Sequence, residues 1–261
     1  PLRLREVHET MTQPLHIGLL GAMPEEIGSD LSHLTDLSCS DHGDLKIHRG
    51  AWSDKVDLSL AWSGWGKVSA ARAATRLLAS DPSIDLLLFT GVAGAADPAL
   101  RQWDVVLADA VVQHDMDARP LFPRFTLPAL NQDRLQPQPP WFDWAKTALL
   151  EAHNAGDLKG FALPSSGLIA TGDRFIGDPA VLQKLRDALP DLQAVEMEGA
   201  AVAQVAEQEG IPWLVLRVIS DGADEMAAQS FEDFVRRYEQ QAWRLIEALL
   251  QRCNDTPQQC A

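Results

Sequence analysis

Short apolar runs alternate with helical patterns along the chain from His16 onward, and this alternation constrains the fold more than any other feature. It is typical of an α/β protein whose sheet is mostly parallel. We therefore predict a single α/β domain with a central mixed, mostly parallel twisted sheet flanked by helices. The predicted strands are residues 16–22, 46–52, 57–63, 85–91, 104–115, 167–171, 194–198 and 213–221. The predicted helices are residues 24–35, 67–80, 140–154, 179–189, 199–210 and 231–252.

The length and composition of the chain fit one large domain. Its 261 residues, of which 46% are hydrophobic, can bury a substantial core, and no linker separates regions of different composition. We place this domain at residues 15–253, between a polar N-terminal extension (1–14) and a C-terminal tail (254–261).

Net charge and cysteine content limit the classes of binding partner and the cellular compartment that we expect for this protein. A net charge of -15 disfavours binding to nucleic acid or to an anionic membrane and favours a small-molecule partner. The three cysteines match no zinc or disulfide spacing, and no stretch has the pattern of a membrane span or a secretory signal. We therefore expect a cytoplasmic protein with free thiols.

Residues 117–141 form the one long stretch without a regular pattern, and its six prolines oppose both a helix and a central strand. Leu121, Phe122 and Phe125 argue against disorder, because disordered segments are poor in aromatic residues. We expect this loop to pack over a site or against a second subunit.

Four predicted strands end in polar or glycine-rich residues. Ligands of open α/β sheets bind beyond the carboxyl ends of the strands, so these ends are the expected site. The four stretches are GAMPEE (21–26), TGVAG (90–94), EME (196–198) and SDGAD (220–224).

Acidic residues dominate two of these ends. Pro24 suits the first turn of a helix, which would place Glu25 and Glu26 at the positive N-terminus of that helix. A helix N-terminus is a natural anion site, and the two glutamates there would repel phosphate. Glu196 and Glu198 share one side if their strand continues. We expect one of them to cap the next helix, whereas a carboxylate facing a pocket could accept hydrogen bonds from a vicinal diol.

Charges also interrupt the apolar stretch WLVLRVISDGAD (213–224), where Arg217 stands mid-strand and Ser220 and Asp221 close the strand. Two other motifs are not favoured as sites. The GWG turn at 64–66 resembles a dinucleotide fingerprint, but no acid closes the following strand. The stretch QHDMDA (113–118) lacks a second His or Cys cluster. We predict no metal and no cofactor.

Six stretches, IGLLGAMPEEI, SGWGKVSAARAAT, FTGVAGA, ATGDRFI, AVEMEGAAVAQVA and VLRVISDGAD, carry a family resemblance. Together they resemble the purine nucleoside phosphorylase and hydrolase superfamily, and most of all its bacterial 5'-methylthioadenosine/S-adenosylhomocysteine nucleosidases. The likeness runs from about His16 to Leu250 with the motifs in the same order.

The resemblance implies hydrolysis of the N-glycosidic bond between adenine and a 5'-thio-substituted ribose. By that likeness Asp221 protonates N7 of the departing adenine, Glu26 orients and activates water, and Arg217 lies near that water. The residues implied in substrate binding are Glu198 and Met197 at the ribose, Phe175 and Ile176 at the adenine, Met23, Trp65 and Phe231 around the 5' substituent, and Ser220 and Val92 at strand ends.

Two positions depart from the family pattern. Val92 stands where the family usually has serine, which removes one hydrogen-bonding hydroxyl, and Trp65 replaces a smaller aliphatic residue near the 5' pocket. The alternatives are a phosphorolytic nucleoside phosphorylase, a futalosine-type hydrolase and a non-catalytic nucleoside-binding protein. The resemblance also implies a homodimer in which the loop at 117–126 lies near the partner's site.

Overall fold

The computed structural model describes residues 13–257, and nine strands in this range form one sheet. The predicted N-terminal extension therefore lies almost entirely outside the described residues, as does the end of the predicted tail. The strands are β1 (Leu15–Gly21), β2 (Thr35–His42), β3 (Leu45–Ser53), β4 (Val56–Trp62), β5 (Leu86–Ala95), β6 (Val105–Gln113), β7 (Ser165–Thr171), β8 (Leu192–Glu196) and β9 (Trp213–Asp221).

The sheet is mixed and mostly parallel, as predicted. Its strand order is β2-β3-β4-β1-β5-β8-β7-β6-β9, and β5 also pairs with β9, so the last five strands close into a ring. The antiparallel pairs are β2 with β3, β3 with β4, β5 with β8, and β6 with β9. The parallel central strands bring their carboxyl ends to one edge, where the polar strand ends meet.

Helices cover the sheet on both faces. They are α1 (Lys67–Ser80), α2 (Pro139–Ala155), α3 (Pro179–Ala188), α4 (Gly199–Glu209), α5 (Ala227–Tyr238) and α6 (Ala242–Leu250). Side chains of α2, α5 and α6 build the apolar layer on one face, and those of α1 and α4 build the layer on the other. Strands β5 and β9 are buried along their whole length between these layers. No helix within residues 13–257 is long and apolar enough to cross a membrane.

The predicted helix at 24–35 is wrong. Only a 3-10 turn forms at Pro24–Glu26, and Gly28 then adopts a φ of 100°, where its N–H bonds to the carbonyl of Pro24 at 2.7 Å. Next, the Asp30 carboxylate accepts the N–H of Ser32 at 2.9 Å, so a side chain takes a donor that a helix would use.

Two further expectations fail for different reasons. The predicted helix at 231–252 is two helices, α5 and α6, and the N–H of Gln241 bonds to the carbonyl of Tyr238 at 2.7 Å between them. No glycine or proline marks this break, so the apolar periodicity runs through it. The missed strand β2 is an edge strand with mostly exposed, polar residues, which gives no alternating signal.

Residues 117–138 contain no helix or strand, in line with the predicted loop, although Phe125, Leu127 and Leu135 are buried against the domain. Helix α2 begins within the predicted loop, since Pro139 occupies its first turn. At the start of the predicted C-terminal tail, Thr256 is fully buried.

Candidate active site

One cavity lies at the carboxyl ends of β1, β5, β8 and β9. Its volume is about 550 Å³, which includes space open to solvent. Arg217 is not on its wall. The other predicted site residues all line it, namely Met23, Glu26, Trp65, Val92, Phe175, Ile176, Met197, Glu198, Ser220, Asp221 and Phe231.

Main-chain donors fix the carboxylate of Glu26. Its Oε2 accepts the N–H groups of Ala22 at 2.6 Å and Met23 at 3.1 Å, and its Oε1 accepts the N–H of Val92 at 3.0 Å. Glu26 is 3% exposed, and burial raises the pKa of its carboxyl group although Arg217 and these donors oppose the rise. Its buried position is reached from the short turn after β1 rather than from a helix.

Arg217 is fully buried behind three glutamates. Its Nη2 pairs with Glu196 and lies 3.8 Å from Oε2 of Glu198, and its Nη1 lies 3.7 Å from Oε1 of Glu26. The guanidinium carbon lies 4.3 Å from the ring centroid of Phe89, beneath the cluster. Burial opposes the charged form of Arg217, but the three carboxylates outweigh it and raise its pKa. One cation faces three acids, and the charges of Glu196 and Glu26 favour a proton on the neighbouring Glu198.

Glu196 lines the cavity and also holds the start of α4. It ends β8, its Oε1 accepts the hydroxyl of Thr171, and its Oε2 accepts the N–H groups of Glu198 at 3.1 Å and Gly199 at 2.7 Å, where α4 begins. It is therefore the acid of the pair that caps the helix. Because β8 ends at Glu196, the alternation of side chains along a strand does not extend to Met197 and Glu198. All three residues of EME line the cavity.

Glu198 keeps one carboxylate oxygen available to the cavity. Its Oε1 accepts the N–H of Gly66 at 2.8 Å, and Oε2 has only the distant guanidinium. Burial, together with the nearby Glu196 and Glu26, raises its pKa to about 8. The glycine turn that resembled a phosphate-binding motif thus holds a carboxyl group.

Asp221 closes β9 and is held on both oxygens. Oδ1 accepts the N–H of Ala223 at 2.9 Å, and Oδ2 accepts the hydroxyl of Ser220 at 2.7 Å. Burial raises its pKa, and Asp224 adds to the rise. A Cβ atom at Gly94 would lie 2.9 Å from Oδ1, so a glycine there allows this close approach.

Aromatic side chains form the outer wall of the cavity. The ring centroid of Phe231 lies 6.0 Å from those of Trp65 and Phe175, and both pairs meet edge to face. Trp65 is 54% exposed and Phe175 41% exposed, whereas Ile176 beside them is buried. The cavity therefore has an acidic base and an aromatic mouth, a combination suited to a ligand with a polar sugar and a planar ring.

The sequence pattern that defines the phosphorylase superfamily matches residues 16–251. The chain belongs to the phosphorylase superfamily. A relative from Marinomonas sp. strain MWYL1, a 5'-methylthioadenosine/S-adenosylhomocysteine nucleosidase, is 35% identical over 90% of this chain and 97% of its own length.

Solved structures in the superfamily have the same fold. The 5'-methylthioadenosine/S-adenosylhomocysteine nucleosidase of Colwellia psychrerythraea, crystallised with adenine, has a TM-score of 0.84 and 31% identity over 92% of this chain and 96% of its own. A futalosine hydrolase from Helicobacter pylori has a TM-score of 0.81 and 30% identity over 91% and 97% of the two chains.

The departure at Val92 leaves a main-chain contact with Glu26 in place. Val92 holds Glu26 through its main-chain N–H, which any residue at this position would supply except proline. The replaced serine hydroxyl is therefore not needed for this contact.

Sequence reasoning missed two residues of the site. A Cβ atom on Gly91 would lie 2.2 Å from both Nη1 of Arg217 and Oε1 of Glu26, so glycine is required for the cluster to form. The signal available in the sequence was a glycine inside an apolar strand, which often marks a close approach of other groups to the main chain. Arg174 is the cation on the cavity wall, and its exposed position in a loop gave no pattern.

The QHDMDA stretch has a structural role in this fold. Asp115 pairs with Lys67 at 2.6 Å and accepts the N–H of Asp173 at 2.9 Å, which ties the start of α1 to the loop that carries Phe175. His114 is buried, and burial lowers its pKa.

Proposed function

We propose that this chain hydrolyses the N-glycosidic bond of adenine nucleosides of the 5'-methylthioadenosine and S-adenosylhomocysteine type and releases adenine. The observation that carries the proposal is the placement of Asp221, Glu26 and Glu198 around one cavity with raised pKa values. The names of the relatives agree with it.

Asp221 acts as the general acid in this proposal. Adenine is a poor leaving anion, so a proton must reach its N7 as the bond to C1' breaks and the bonding electrons move onto the base. Burial raises the pKa of Asp221, which favours the protonated form that a general acid needs. Ser220 and Ala223 hold that carboxyl group in place.

Glu26 positions and deprotonates the attacking water. The sugar cation that forms at C1' is strongly electrophilic, so water needs only orientation and a proton acceptor. The water oxygen bonds to C1', and its proton passes to Glu26. Because burial raises the pKa of Glu26, the carboxylate is a better base than an exposed one. Arg217, which lies behind it, fixes its position.

Glu198 binds the ribose hydroxyls, and Met197 packs beside the sugar. Phe175 stacks on the adenine ring, and the main chain of Ile176 contacts the purine edge. Met23, Trp65 and Phe231 surround the 5' substituent. These assignments rest on the family resemblance and on the positions of the residues around the cavity.

Water is favoured over phosphate as the nucleophile. The inner part of the cavity carries four carboxyl groups, those of Glu26, Glu196, Glu198 and Asp221, and any of them that is ionised repels a phosphate dianion. Futalosine-type nucleosides are a second candidate substrate class, since the futalosine hydrolase of Helicobacter pylori has the same fold and Trp65 changes the wall of the 5' pocket.

Adenine release tests the proposal. The enzyme is incubated with 5'-methylthioadenosine in phosphate-free buffer, and free adenine is quantified by chromatography. S-adenosylhomocysteine, 5'-deoxyadenosine and a futalosine-type nucleoside are compared in parallel. Release of adenine without phosphate is expected. Turnover that requires phosphate and yields a sugar 1-phosphate would instead identify a phosphorylase, and tight binding without turnover would identify a binding protein.

A cytoplasmic homodimer is also proposed. Leu121 in the 117–126 loop is 84% exposed and Val68 at the start of α1 is 82% exposed, which suits contact with a second copy. The thiols of Cys39 and Cys253 are unpaired, as expected in a reducing compartment.

A further inference from the structure

A second cavity lies beside the C-terminal helices and shares no lining residue with the acidic one. It encloses about 1160 Å³, including space open to solvent. Its wall contains no acidic residue, although the chain carries a net charge of -15. The wall residues used below are Trp103, Lys159, Phe161, Arg236, Arg237 and Arg244.

Two of the four cations are available to a ligand. Arg244 is occupied, since it donates to the carbonyl of Lys159 at 2.7 Å and to the side chain of Gln241 at 2.7 Å. Arg236 is paired with the carboxylate of Asp233 at 3.7 Å. Arg237 uses only its Nε, which donates to the carbonyl of Asp233 at 3.3 Å. Within residues 13–257 neither the ammonium of Lys159 nor the terminal nitrogens of Arg237 has an ion-pair partner.

Ring contacts and main-chain hydrogen bonds hold Trp103 in the wall of this cavity. The indole of Trp103 packs on Phe161 at 5.6 Å and on Phe234 at 4.6 Å between centroids. The main-chain N–H of Trp103 bonds to the carbonyl of Ile219 at 3.0 Å, and its carbonyl accepts the N–H of Ala162 at 3.0 Å. The guanidinium carbon of Arg237 lies 6.0 Å from the indole centroid, so cation and ring border the same space.

We propose that this cavity binds a small aromatic phosphate. The planar ring packs against Trp103, and the phosphate group is held by Arg237 and Lys159 through charge-assisted hydrogen bonds. A neutral aromatic compound would leave the two cations without a counter-charge, and inorganic phosphate would leave the indole surface unused. The site is separate from the proposed nucleosidase chemistry, because the two cavities share no lining residue.

Isothermal titration calorimetry with 1-naphthyl phosphate tests this site, with 1-naphthol and inorganic phosphate as the two fragments of the probe. One molecule should bind per chain, at least about tenfold more tightly than either fragment. Arg237→Gln and Lys159→Gln should each weaken binding by about tenfold, because each removes one charged donor. Binding should also weaken as salt is raised.

Matched controls are Arg76→Gln and Lys184→Gln, which remove the same charges from exposed positions on other helices. These variants should bind the probe like the unaltered protein, and circular dichroism should be unchanged in all four variants. The proposal is overturned if the probe does not bind at millimolar concentration. It is equally overturned if Arg237→Gln and Lys159→Gln bind no more weakly than the controls.

Discussion

At the scale of single residues, the site depends on three buried carboxyl groups. Asp221, Glu198 and Glu26 are each less than 9% exposed, and the pKa of each is raised. The strand pattern indicated which acids stand at strand ends but did not show which of Glu196 and Glu198 caps the helix, and only the family resemblance singled out Glu198 as the ribose-binding acid. That distinction depends on where β8 stops, and the stop is set by N–H groups that bond to Glu196.

Asp221→Asn should reduce kcat for adenine release by about 10²–10⁴-fold, because the amide cannot supply the proton to the leaving base. The amide can still accept the N–H of Ala223, so the fold should remain. Steady-state kinetics and circular dichroism measure the two effects. Asp143→Asn, an exposed position on α2, is the control and should retain full activity. Turnover by Asp221→Asn at the rate of the control would exclude Asp221 as the acid.

Glu198→Gln should stabilise the protein at alkaline pH. The folded-state pKa of Glu198, about 8, exceeds its ordinary value of 4.5, so the folded protein binds this proton more tightly than the unfolded chain does. The unaltered protein therefore loses stability as the pH rises between these values, and glutamine removes that loss.

The Tm gain of Glu198→Gln over the unaltered protein should consequently be larger at pH 9 than at pH 5. Differential scanning calorimetry at the two pH values measures it. Glu225→Gln, at an exposed position, should show no such pH-dependent difference. An equal gain at both pH values would contradict a raised pKa for Glu198.

At the scale of elements, β5 admits the charged cluster only because Gly91 has no side chain. Gly91→Ala should lower activity by more than about 100-fold and destabilise the fold by about 1–3 kcal/mol, since Arg217 and Glu26 must both move. Gly18→Ala in β1 is the control, because its added methyl group meets only the ends of apolar side chains at 3.1–3.2 Å. Denaturant titration and kinetics compare the two. Full activity of Gly91→Ala would show that the cluster is not needed for turnover.

Most elements were predictable because their signals are local. Strand β9 and helix α1 occupy the predicted residues, since apolar runs and periodic patterns mark them directly. The failures at 24–35 and 231–252 came from contacts that those stretches make rather than from their own patterns. The aromatic mouth was likewise assigned by resemblance, because no local pattern brings Trp65, Phe175 and Phe231 together.

At the scale of the whole molecule, the proposed dimer is expected to cover the exposed apolar residues of the 117–126 loop and α1. Sedimentation equilibrium should give about twice the chain mass of 28.6 kDa for the unaltered protein. Leu121→Asp should shift the equilibrium towards the monomer and lower activity, because a buried charge opposes association. Leu163→Asp, at another exposed leucine, should remain dimeric. A monomer at all concentrations of the unaltered protein would contradict the proposed dimer.

The contact between Glu26 and Arg217 joins the end of the first strand in the chain to the last strand, so no local stretch can form it. Closing the loop between residues 26 and 217 costs conformational entropy, and contacts between residues so far apart in sequence slow folding. After dilution from denaturant, activity should return more slowly than the helical circular dichroism signal. Newly made chains would therefore pass through a period in which they are largely structured but cannot yet consume substrate.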